Sequence, residues 1–131
     1  MEILRSVLRE LPEFQQLLTA LDSGQSPAAV SGLAAVHRAH FAACLGQESG
    51  RPVVVVCADE GEAERMARDL SFLTGGEVPV LAARSFLFHS IATVSHQWEH
   101  RRLRLLYRLS RGEVPCLVAT VEALLQRTLP P

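Results

Sequence analysis

The run Val53-Val54-Val55-Val56-Cys57-Ala58 constrains this chain more than any other stretch. It reads as the clearest strand. Its polarity does not alternate, so both faces are expected to be buried, at the centre of a parallel sheet between helices. Asp59 is placed to cap the following helix, with Glu62 three residues on as reciprocal partner. Ala63, Met66, Ala67, Leu70 and Leu73 form that helix's apolar stripe, and Gly75-Gly76 ends it. A second, weaker strand is expected over Val78–Ala83, where Pro79 suits an edge or first position. Arg84–Val94 reads as an irregular apolar connection. Ser95 opens a helix to about Arg111, closed by Gly112. Pro115–Thr120 reads as the third strand, and Thr120 caps a last helix over Val121–Arg127.

Upstream, leucines at 4, 8, 11, 17, 18 and 21 mark a helical stretch that Pro12 divides in two. Residues 22–27 are dense in turn formers. Ala28–Val30 could form a short strand, and Ser31-Gly32 opens a helix to about Leu45. Alternating strands and helices with short links imply right-handed crossovers and a parallel sheet flanked by helices, an α/β fold. Residues 1–27 thus read as an N-terminal helical segment and loop, and 28–131 as the α/β domain.

Composition narrows the function. The chain has 13 basic residues, all arginine, so a lysine nucleophile, a lysine base and an intact phosphate-binding P-loop are excluded. A net charge of −1 provides no strong overall field for nucleic acid or acidic lipid. Three cysteines, Cys44, Cys57 and Cys116, make neither a disulfide framework nor a paired zinc motif. The longest apolar run is too short to span a bilayer, and the acidic start does not suit a signal peptide, so a cytoplasmic location is expected.

Ala29-Val30-Ser31-Gly32-Leu33-Ala34-Ala35-Val36 stands where a nucleotide-binding α/β domain carries its phosphate loop. In GxxxxGK[ST] the glycines let backbone N–H groups wrap phosphate, the lysine reaches the β/γ oxygens, and the hydroxyl holds magnesium. Here Ala29 and Ala34 replace the glycines, Ala35 the lysine and Val36 the hydroxyl; Gly32 keeps only the turn. Val53–Glu60 imitates a Walker B strand, but Asp59 and Glu60 fit a helix cap and a first-turn acid. His37, His40 and Cys44 share one helical arc without a fourth ligand for zinc, and read as a half-buried face. No metal or cofactor is expected. Helix 95–111 places Arg101, Arg104, Arg108 and Arg111 on one side, as contacts for phosphate or an acidic partner or simply as a solvated face. Glu99 and Arg102 project into its apolar arc, where they must pair or bond to buried backbone.

The order of these segments resembles one family. The degenerate loop at Ser31–Ala35 is followed by Arg51–Asp59, Glu62–Leu70, Leu81–Ser85, the helix with Glu99 and Arg102, and the closing Ala123-Leu-Leu-Gln-Arg127. From about Leu11 onward this is similar to the N-terminal part of the bacterial transcription-repair coupling factors (Mfd). That part itself resembles domain 1a of the excision-repair protein UvrB and has lost the nucleotide site UvrB keeps. The resemblance implies a degenerate helicase-like module serving as a non-catalytic scaffold. It further implies an ATP-driven DNA translocase elsewhere in the full protein, with UvrA, RNA polymerase and DNA bound through other domains. A UvrB-like domain takes further strands from later sequence, so self-association through an open strand edge or the patch at Phe86, Leu87 and Phe88 is expected of the segment alone. The competing readings are an active P-loop ATPase or helicase fragment, which the missing lysine disfavours, and a Rossmann-like binding domain, which lacks GxGxxG after any strand.

Overall fold

In a computed structural model of the chain, residues 2–83 and 96–126 are described. The Arg84–Val94 connection, the Phe86–Phe88 patch, the Ser95 cap and Arg127 lie outside them. The helices are α1 (Glu2–Arg9), α2 (Pro12–Asp22), α3 (Ala35–Ser49), α4 (Glu60–Thr74), α5 (His96–Ser110) and α6 (Val121–Leu125). The strands are β1 (Val53–Cys57), β2 (Val80–Leu81) and β3 (Cys116–Thr120).

The three strands form one parallel sheet in the order β1-β3-β2. The α/β class is therefore as expected, but the expected centre of the sheet is not. β1 lies at the edge, and β3, buried at all five positions, is central. One face, carrying Val53, Val55, Cys57, Cys116, Val118 and Val80, packs against α3 and α4 through Ala39, Ala43, Met66 and Leu70. The other face carries Leu81, Leu117 and Ala119 and packs against Leu105 of α5 and Ala123 of α6. That cover stops short of β1. Val54 and Val56, beside Leu117 and Ala119 in register, remain 52% and 51% exposed. A valine run is apolar on both faces whether or not both are covered, which is why its pattern suggested a central strand.

Other boundaries follow local chemistry. Pro12 starts α2 at its first turn, where its missing N–H costs nothing. Asp59 Oδ1 accepts the Glu62 N–H at 2.8 Å and Glu62 Oε2 accepts the Ala58 N–H at 3.1 Å, a capping box displaced by one residue at its return bond. Gly75, at φ +73°, closes α4 in the left-handed conformation. Ala28–Val30 is not a strand, and α3 starts at Ala35 rather than at Ser31-Gly32. The turn-forming Gly32, at φ +83°, stands before the helix and not inside it. The second strand shrinks to two residues. α1 and α2 lie against α3, held by the Arg9–Glu48 ion pair at 2.9 Å and an edge-to-face contact of Phe14 with Phe41. Cys57 and Cys116 are small core residues; burial pushes both thiols above the ordinary value, so they stay protonated and unreactive at neutral pH.

Candidate functional site

The segment expected to stand in place of a phosphate loop sits at the start of α3. Residues 25–34 carry no secondary structure, and Ala29, Gly32, Ala34, Ala35 and Val36 are all exposed. Ala34 occupies the N-cap without a side-chain bond, so no hydroxyl or carboxylate closes that end. Around it, chemistry is already committed. Arg38 lies 3.6 Å from Glu62, and both Asp59 and Glu62 bond to backbone N–H groups. This corner is a helix-cap assembly whose alanine and valine side chains can neither donate to phosphate nor hold magnesium.

Arg101, Arg104 and Arg108 on α5, and Arg111 just after its last residue, are exposed, as expected. Arg111 Nε bonds Glu113 Oε1 at 3.2 Å, and its guanidinium lies 5.9 Å from the Tyr107 ring centroid. Because α3 and α5 cover opposite faces of the sheet, the fold does not bring the arginines to the loop.

Arg102 is buried, 8% exposed, as its place in the apolar arc requires. Its Nη2 donates to the Ala123 carbonyl at 2.9 Å and the Gln126 carbonyl at 3.2 Å, satisfying acceptors at the end of α6. Its Cζ lies 5.7 Å from the Trp98 ring centroid, within cation–π range. Nε and Nη1 are buried without a hydrogen-bond partner, and desolvation lowers the guanidinium pKa. The expectation that Arg102 bonds buried backbone is thus met. His40 Nε2 and Cys44 Sγ lie 3.5 Å apart, His37 is exposed, and no group of three metal-ligating side chains converges among the described residues.

Two features left no mark in the side-chain pattern, although the resemblance implied that some strand edge would be open. A cleft of about 760 Å³ opens at the N-terminal ends of β1 and β3, lined by Ala42, Gly46, Val53, Leu109, Val114 and Cys116. Gly46 is needed there, since a Cβ would come within 2.7 Å of a Val53 methyl. The second feature is the free edge of β1. Val53 N–H donates to the Pro115 carbonyl, so Val54 and Val56 turn their backbone groups the other way, toward no partner strand among the described residues. On that side the Ala58 N–H is taken by Glu62.

An open edge flanked by exposed valines invites strand addition. At high concentration the chain is expected to associate through it. Val56→Lys should shift light scattering to the monomer while lowering the melting midpoint by only a few degrees, since this valine is half exposed. A strictly monomeric parent, or an equally associating variant, would rule this edge out.

Comparison with known proteins points one way. The chain is 27% identical over 132 aligned positions to the transcription-repair-coupling factor of Bacillus subtilis (strain 168), an alignment covering 100% of this chain and 11% of that protein. To the transcription-repair-coupling factor of Myxococcus xanthus it is 32% identical over 125 positions, covering 89% of this chain and 10% of that protein. It thus spans about a tenth of the length of the curated relatives it matches. No family model matches, and no solved structure does.

Proposed function

We propose that this chain, a region related to the transcription-repair-coupling factors, is a non-catalytic scaffold within a transcription-coupled DNA repair protein. In this reading it is the first part of a UvrB-like module whose nucleotide site has decayed. The observation that carries the reading is the corner at the start of α3. Phosphoryl transfer depends on positioning and on neutralising phosphate charge. At that corner Ala34, Ala35 and Val36 occupy the positions where a working loop needs glycine, lysine and a hydroxyl. The free edge of β1 supports the same reading, because a sheet that ends on an uncovered valine strand is suited to accept another strand of a larger module.

The family's ATP-driven translocation, and its contacts with DNA, RNA polymerase and UvrA, then belong to other parts of the polypeptide. No helix among the described residues is long and apolar enough to cross a membrane.

Calorimetry with magnesium and ATP is the direct test, alongside steady-state phosphate release. No binding heat at millimolar nucleotide is expected. Restoring the lysine alone, by Ala35→Lys, should leave the result unchanged, because the glycines and the magnesium ligand are still missing. Micromolar affinity or turnover above the buffer blank in the parent chain would replace the scaffold with an active nucleotide enzyme.

A further inference from the structure

The exposed face of α5 differs from that of α4. On α4, Glu64 and Arg68, and Arg65 and Asp69, are exposed at i,i+4 spacing with opposite signs, the pattern that stabilises a helix in water. On α5 the pairs Arg101–Arg104, Arg104–Arg108 and Arg108–Arg111 stand at i,i+3 or i,i+4 with like signs, which opposes the helix. Arg108 and Arg111 suit the negative end of the helix dipole, but Arg101 lies in the first half of α5 and Arg104 just past its middle, away from that end. Among the described residues only Arg111 of these four is ion-paired. The segment from Arg101 to Arg111 holds five of the 13 arginines and no acid, so the rest of the chain carries eight arginines against all 14 acids.

Beside the arginines, Leu103 and Tyr107 form an i,i+4 apolar strip that is 50% and 62% exposed. Tyrosine and arginine are the residue types that dominate binding energy at protein interfaces. We propose that this face of α5 is a docking surface for an acidic amphipathic helix of a partner protein. The partner's carboxylates pair with Arg101, Arg104 and Arg108, and its apolar residues cover Leu103 and Tyr107. The contact runs about 10 Å along the helix axis, from Arg101 to Arg108. A nucleic acid backbone fits less well. It would leave Leu103 uncovered, and the six surplus negative charges on the remainder of the chain repel an extended polyanion. A protein helix presents only a local acidic patch.

The probe is a synthetic helical peptide of ~20 residues with glutamates along one face and leucines beside them, titrated against the chain at physiological salt. A Kd of ~10 µM is expected. Arg104→Glu with Arg108→Glu should weaken it by ~30-fold, and Tyr107→Ala by ~10-fold. Polyglutamate, lacking leucines, should bind the parent only as weakly as the peptide binds the tyrosine variant. Single-stranded oligothymidylate and duplex DNA should neither bind nor compete. Absence of peptide binding, indifference to the charge reversal, or DNA binding that the reversal abolishes would each overturn the proposal. A second readout is independent of any ligand. Arg104→Glu places opposite charges beside Arg101 and Arg108, so this variant should melt above the parent. A lower melting midpoint would mean that the arginines serve the helix itself, and would also overturn the proposal.

Discussion

Leu70→Ala is expected to lower the unfolding free energy by ~3 kcal/mol, with a melting midpoint ~10 °C lower. Leu70 is fully buried on α4, in the layer that holds Met66, Val78 and Val118 together. Its neighbours on the sheet side are backbone-fixed strand residues, which cannot collapse far into the space a missing isobutyl group leaves. Leu70→Met keeps most of that volume and should cost less than ~1.5 kcal/mol. Denaturant melts of the two variants measure the difference. A loss below ~1 kcal/mol for the alanine variant would mean that α4 is not tightly seated on the sheet.

Arg102 presents a contest whose outcome the substitutions can separate. Removing it forfeits two hydrogen bonds, those its Nη2 donates to the Ala123 and Gln126 carbonyls at the end of α6. It also relieves the desolvation of a guanidinium whose Nε and Nη1 are buried and unbonded. Arg102→Ala loses the bonds and leaves a cavity, so a destabilisation of ~2–4 kcal/mol is expected. Arg102→Met fills the space without the buried charge and should recover about half of that. Arg102→Lys keeps the charge but lacks the planar fork that reaches two carbonyls, and should be no better than alanine. Thermal melts should therefore rank methionine above lysine and alanine. A lysine variant as stable as the parent would show that charge alone matters at this position.

These two residues illustrate what could be read from the sequence. Leu70 was legible because helical spacing with Ala63, Met66 and Ala67 identifies a buried stripe without any knowledge of what covers it. Pro12, Asp59, Glu62 and Gly75 were legible for the same reason: each acts on its own backbone neighbours. Arg102 was legible only by half. Its position in the apolar arc of α5 marked it as buried, but its partners are main-chain carbonyls of a different helix, which leave no signature in side-chain pattern. The order of the strands was not legible at all. Uniform valines in β1 are compatible with a central or an edge place, and which strands lie beside it leaves no mark in its own side-chain pattern. The arginine face was legible as a pattern. Its separation from the start of α3 by the thickness of the sheet was not.

The position of β3 has a consequence for how the molecule assembles. Val53 of β1 pairs with Cys116, 63 positions later, and Val80 of β2 pairs with Val118, 38 positions later. β1 and β2 never touch each other in the sheet, so neither has a partner until β3 arrives. Such distant pairings slow folding, because the loop must close before any ladder bond forms. During synthesis, at about 5–20 residues per second, α3, β1 and α4 emerge with their apolar stripes several seconds before Thr120 leaves the ribosome. The nascent chain therefore has to hold the valine strand unpaired throughout that interval. Helix contacts between α3 and α4 are the main native packing available to shield it, and β3 is the last of the three described strands to be made.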